Sequence, residues 1–165
     1  ILDKSGISYS SYCFDADALE PDEHSVGSAV MHYDGSCDII IGVGSGVIND
    51  IGKILSHLTG KAYIIVGTAP SMDGYASATS SMSMDGLKVS LNSRCADVII
   101  GDTDILKTAP DHMLRSGLGD MLAKFVSIAE WRIAHIITGE YYCEEVAHHI
   151  FLKAHTFQDK VPSLL

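Results

Sequence analysis

Three stretches of this sequence combine residue types that can do chemistry. The first is Gly42-Val43-Gly44-Ser45-Gly46-Val47-Ile48-Asn49-Asp50. It lies between an apolar run and an amphipathic pattern. There, glycines let backbone N–H groups approach a pyrophosphate at a helix N-terminus. The spacing is G-x-G-x-G rather than G-x-G-x-x-G, so a tight strand-to-helix turn explains it equally well. The second is Gly67 to Ser77, where Thr68, Ser71 and Ser77 offer hydroxyls and Asp73 a carboxylate. Asp73 also reads as a helix N-cap or first-turn acid. The third is Ser116 to Lys124, where a helix is expected to begin and Asp120 carries the only acid. Asp120 is readable as a first-turn dipole acid, as an i,i+4 partner of Lys124, or as a metal ligand. The histidines add little: His24, His32, His57, His112 and His135 stand alone. His148 and His149 are adjacent, so on a helix they diverge by about 100° and chelate poorly.

The elements that would position these residues follow from periodicity. Ser8 to Phe14 reads as a strand, and Glu20-Pro21-Asp22-Glu23 as the start of a helix towards Tyr33. Cys37 to Ile41 is a β-branched run ending in glycines, which predicts a buried strand. Val47, Ile48, Ile51, Ile54, Leu55 and Leu58 trace one helical face, which Gly60 ends. Tyr63-Ile64-Ile65-Val66 is a second buried strand, so the unit is a parallel βαβ. In a parallel sheet both loops then lie at the carboxyl edge, where ligands bind. Met84 to Val89 predicts a hairpin whose Asp85-Gly86 supplies positive φ. Asp97 to Ile100 predicts another strand. Beyond Pro110 the pattern is helical to Gly139, and a second helix runs from Glu140 to about His155. The expected fold class is α/β: a Rossmann-like parallel sheet over 1–108, then the beginning of an all-α domain over 109–165.

Composition narrows the function classes. The chain has 165 residues, 47% of them hydrophobic, so a real core is expected. Its 11 Lys and Arg against 21 Asp and Glu give a net charge of −10, which argues against nucleic acid as a partner. No apolar run approaches the ~18 residues of a membrane span. The amino terminus, Ile1-Leu2-Asp3-Lys4, reads neither as a signal peptide nor as an initiator methionine, and the chain is expected to be internal to a longer one. Cys13, Cys37, Cys95 and Cys143 show no metal-binding spacing. They are expected to be buried thiols in a reducing, cytoplasmic compartment.

Together the three stretches change the reading. In this order and spacing they resemble the superfamily of iron-containing alcohol dehydrogenases, glycerol dehydrogenases and dehydroquinate synthases. G-V-G-S-G-x-I-N-D, T-A-P-S-M-D-G-Y-A-S and G-x-G-D-M-L-A-K look most like its sn-glycerol-1-phosphate dehydrogenase branch, and Thr138 to Glu145 like the bacterial members. The resemblance covers roughly Ile1 to Ala147. It implies an NAD- or NADP-linked oxidoreductase interconverting dihydroxyacetone phosphate and sn-glycerol 1-phosphate. Gly44, Ser45, Gly46, Val47, Ile48, Asn49 and Asp50 would hold the cofactor pyrophosphate. Thr68, Ala69, Pro70, Ser71 and Ser77 would line the nicotinamide side. Asp73 would contact substrate hydroxyls; Asp120 would touch substrate and serve as first ligand of a divalent metal (zinc, nickel or iron).

The resemblance also sets out what is missing. The family takes its other two metal ligands from histidines further downstream, and its first strand–helix unit should precede Ile1. His148, His149 and His155 do not match those motifs. The resemblance therefore implies a chain incomplete as a catalyst, whose complete form self-associates. Two further readings remain: a glycerol or other polyol dehydrogenase of the same superfamily, and a non-catalytic nucleotide-binding remnant acting as an interaction module.

Overall fold

In a computed structural model the described residues are 2–15 and 19–160, with side chains described to residue 156. They form two compact units: residues 1–70 with 74–109, and residues 71–73 with 110–165.

The first unit is α/β. After a short 3-10 turn at Asp3–Ser5 come α1 (Glu23–Met31), β1 (Ile39–Gly44), α2 (Gly46–Thr59) and β2 (Ala62–Gly67). A 3-10 turn at Gly74–Ala76 then leads into β3 (Thr79–Met84), β4 (Leu87–Asn92), β5 (Val98–Gly101) and α3 (Thr103–Leu106). The parallel sheet has the order β1-β2-β5, with Ile39 opposite Ala62 and Ile64 opposite Val98. β3 and β4 make a separate antiparallel hairpin turning at Asp85 (φ 49°) and Gly86 (φ 77°). That is the paired positive φ expected of an Asp-Gly turn.

The amphipathic pattern of α2 explains the core. Ile51, Leu55 and Ala29 of α1 form one cluster, with Phe14, Leu19, Val26, Tyr33, Ile40 and Val47 around it. Tyr63, Ile65 and Ala96 form another, joined by Ile40, Ile48 and Tyr75. Gly60 closes α2 in the left-handed region, as glycine does at a helix end. Burial alternates along β1, so Ile40, Gly42 and Gly44 are partly covered while Ile39, Ile41 and Val43 are exposed. The strand expected to be buried is thus covered on one face.

Two expectations for this unit need correction, the strand over Ser8 to Phe14 and the buried cysteines. Ser8 to Phe14 forms no strand. A strand needs a ladder partner, whereas this segment is held by its side chains. The Tyr12 hydroxyl lies 2.6 Å from Ser28 Oγ, its ring stacks on His32 at 4.0 Å, and Phe14 joins the core. α1 begins at Glu23, within the stretch expected to start it, because the Asp22 carboxylate caps it by accepting from the Ser25 N–H at 2.8 Å. The cysteines are free but not buried: Cys13 is exposed, and Cys37, Cys95 and Cys143 are half-exposed.

The second unit is a helical hairpin of α4 (Asp111–Thr138) and α5 (Glu144–Lys160), with residues 71–73 attached. Phe125 meets Phe151 edge-on at 5.2 Å. Gly139 ends α4 at φ 74°. α5 starts at Glu144 rather than Glu140, because the connecting backbone is tied back to α4. Trp131 Nε1 donates to the Tyr141 carbonyl at 2.8 Å, and His135 Nδ1 sits 2.6 Å from the Glu140 carbonyl. No described helix is long and apolar enough to cross a membrane.

Candidate functional site

In the first unit β1 ends at Gly44 and α2 begins at Gly46, with Ser45 as the N-cap. The Ser45 side chain makes no capping hydrogen bond. The first N–H groups of a helix have no intrahelical partner, so this turn presents backbone donors and the positive end of a helix dipole. Parallel pairing brings the second loop alongside, since the Thr68 N–H donates to the Gly44 carbonyl at 3.0 Å. Gly44, Ser45, Gly46 and Thr68 are therefore neighbours at one sheet edge. Gly44 has a packing reason of its own, because a Cβ there would collide with Ile48.

The remaining residues of the first stretch behave differently. Asn49 is fully buried; its Nδ2 donates to the Gly74 carbonyl at 3.4 Å, while its Oδ1 has no partner in the structure. Asp50 is held by the next turn of α2: Lys53 Nζ lies 3.0 Å from its Oδ1 and also reaches the Ser77 and Thr79 carbonyls. Burial pushes the Asp50 carboxyl above its ordinary value, against the opposing pull of Lys53. Ser80 is also fully buried, its Oγ 3.2 Å from the Asp50 carbonyl and 3.0 Å from Ser93 Oγ, with one proton to donate to either. Asn49, Lys53 and Ser80 thus lash α2 to the segment from Gly74 to Thr79. Ser77 Oγ lies 2.9 Å from Thr79 Oγ1. Tyr75 closes the loop after β2 by donating to the Ala69 carbonyl at 2.7 Å. Burial raises its phenol pKa and that of Tyr63.

The second unit carries the acidic pair. Asp120 lies well inside α4 rather than in its first turn, so the dipole-acid reading does not apply. Its Oδ2 accepts from the Asp73 backbone N–H at 3.2 Å. Lys124, one turn along α4, forms its ion pair with Asp73 rather than with Asp120. Asp73 and Asp120 are thus together, and Ser71 belongs to the same attached segment.

Sequence reasoning missed Lys53 and Ser80, and it treated Lys124 only as a possible helix neighbour. Lys53 lies three residues after Asp50 but off the apolar face that Ile51 and Leu55 trace, so periodicity did not mark its burial. Nothing local marked Ser80.

The residues present fit a dinucleotide better than a metal. A helix start lacking a capping side chain, beside a second loop with hydroxyls, suits a phosphate-bearing ligand. A catalytic zinc-type centre takes three protein ligands. Among the described residues no group of three His, Cys, Asp or Glu is gathered, so Asp120 does not stand in a complete metal site here.

A sequence model described as iron-containing alcohol dehydrogenase matches residues 1–110. The chain is 35% identical over 130 residues to a glycerol-1-phosphate dehydrogenase [NAD(P)+] of Halalkalibacterium halodurans, covering 79% of this chain and 33% of that one. It is 39% identical over 110 residues to the protein of the same name from Thermococcus sibiricus, covering 67% and 31%. Among solved structures it is similar to glycerol dehydrogenase from Schizosaccharomyces pombe, with a TM-score of 0.66 and 26% identity, covering 76% and 32%. The chain spans about one third of the length of these relatives. It belongs to the iron-containing alcohol dehydrogenase family.

Proposed function

We propose that this chain carries the dinucleotide-binding edge of an NAD(P)-linked oxidoreductase that interconverts dihydroxyacetone phosphate and sn-glycerol 1-phosphate. The observation that carries the reading is the β1–α2 turn. There Gly44, Ser45 and Gly46 present backbone donors at a helix start with no capping side chain, beside Thr68. Backbone N–H groups of Gly46, Val47 and Ile48 would hold the pyrophosphate. Asn49 and Asp50 contribute by fixing the turn, since their side chains are engaged with Gly74 and Lys53. Thr68, Ala69 and Pro70 would line the nicotinamide side, with Ser71 and Ser77 flanking them. Asp73 and Asp120 would meet the substrate hydroxyls. When bound, the nicotinamide supplies or accepts the hydride.

The phosphorylated substrate is supported by the two glycerol-1-phosphate dehydrogenases to which the chain is similar. Asp120 would be one ligand of a divalent metal. A second reading, a glycerol dehydrogenase, is favoured by the similarity to the Schizosaccharomyces pombe structure. We place the protein in the cytoplasm because its four cysteines are free and partly exposed.

The test is an NADH fluorescence titration of the 165-residue chain beside Gly46→Asp. An acid in the first helical turn suits the dipole but repels a pyrophosphate. Binding by the wild type, weakened tenfold or more in the variant, is the expected result; no binding by the wild type overturns the reading. In a protein of the relatives' full length, NADH oxidation on adding dihydroxyacetone phosphate favours the first substrate. NAD reduction by glycerol, with no response to dihydroxyacetone phosphate, favours the second.

A further inference from the structure

Asp73 and Asp120 are brought together by a backbone contact, which places two carboxylates in one neighbourhood. Like charges at such range repel, and two acids sharing a site separate unless something offsets one of them. The cation that the structure does place there is Lys124. On a helix an acid and a lysine four residues apart ordinarily pair with each other. Here Lys124 reaches past Asp120 to the carboxylate of Asp73, on a segment that is remote in sequence.

We propose that Lys124 is a positioning residue for the Asp73–Asp120 pair: its ammonium neutralises Asp73 and so keeps the Asp73 amide on the Asp120 carboxylate. This rests on the reading above, which gives both carboxylates to the substrate. The role is local. Lys124 and Asp73 are 30% and 34% exposed, and ion pairs so open to water contribute little to global stability. What the pair decides is where the residue 71–73 segment sits on α4. Removing the ammonium frees that segment without unfolding the helix. An arginine, longer but equally cationic, can still reach Asp73. Any hydroxyl-bearing ligand held between the carboxylates then depends on Lys124 without touching it.

Hydrogen exchange at the Asp73 amide in the full 165-residue chain tests this. In Lys124→Met the amide is expected to exchange about tenfold faster or more, with α4 amides and far-UV dichroism unchanged. Lys124→Arg is expected to restore protection, which a simple loss of side-chain packing would not do. Should Lys124→Met disturb the helices, Asp73→Asn approaches from the other side. It keeps the amide, loses the ion pair, and is expected to show the same acceleration at residue 73. Wild-type protection at residue 73 in Lys124→Met or in Asp73→Asn overturns the proposal, as does Lys124→Arg exchanging as fast as Lys124→Met. An NADH titration of the wild type separates the two levels. Its failure sinks the dinucleotide reading, whereas the exchange result stands or falls on the Asp73 amide.

Discussion

Lys53 Nζ lies 3.0 Å from Asp50 Oδ1, one turn along α2, and the lysine side chain is only 1% exposed. A buried ammonium persists only if it is paired and its protons are bonded. Asp50 and the Ser77 and Thr79 carbonyls meet that need. The same contacts fix the segment after β2 against the helix that starts at the glycine turn. Removing the ammonium leaves a partly buried carboxylate unpaired. Lys53→Met is therefore expected to cost about 2–4 kcal/mol, somewhat under the usual cost of breaking a buried pair because Asp50 keeps some water contact. Urea denaturation checks it; a loss below about 0.5 kcal/mol would contradict the account.

Tyr63 sits where two glycines leave room. A Cβ on Gly42 or on Gly52 would collide with its ring and hydroxyl. Gly52→Ala gains about 1 kcal/mol of helix propensity but overpacks the helix–sheet gap, which costs about 1–3 kcal/mol. Net destabilisation is expected. Because the hydroxyl and two ring carbons crowd that Cβ almost equally, Gly52→Ala should cost less once the ring is removed, in a Tyr63→Leu background. A double-mutant cycle reads this as a coupling of at least about 0.5 kcal/mol. Strict additivity would show that the ring is not what excludes the methyl group.

Asp97 accepts from the Tyr63 N–H at 2.8 Å and from Arg94 at 2.7 Å, and these bonds hold its carboxyl below its ordinary 3.8. A folded-state value below the unfolded one contributes stability that is complete above the unfolded value. That stability is lost as pH falls through the folded value. Asp50 has the opposite sign, since its raised carboxyl costs stability above the folded value and is relieved on protonation. Asp97→Asn is expected to lower stability at neutral pH and to flatten the acid-side loss below 3.8. Denaturation midpoints measured across that range decide it, and parallel curves for variant and wild type would rule it out.

The β3–β4 turn needs positive φ at Asp85 and Gly86. Gly86→Ala places a Cβ in the left-handed region, at a cost of about 1–2 kcal/mol. Asp85→Asn, which tolerates that region, is expected to be nearly neutral. Thermal melts of both variants test the pair, and equal effects would contradict a turn-specific cause.

Much of the first unit was legible from local pattern. The β1–α2–β2 order, the stop at Gly60 and the Asp85-Gly86 turn, and in the second unit the end of α4 at Gly139, all follow from periodicity and backbone preference within a few residues. The joint motif pattern was enough to identify the family. Ser8 to Phe14 misled because its alternation resembles a strand, while whether it pairs depends on a neighbour that alternation does not specify.

The sequence by itself determined which residue types could form a site and on which elements they ride, because those signals act over one helical turn or one strand repeat. Only the tertiary structure decided the partners. Lys53 turns to Asp50 and Thr79, Tyr63 fills the gap left by Gly42 and Gly52, and Lys124 passes over Asp120 for Asp73. Such choices balance burial, charge and reach among groups far apart in the chain, and they exist only once the fold has brought those groups within contact distance.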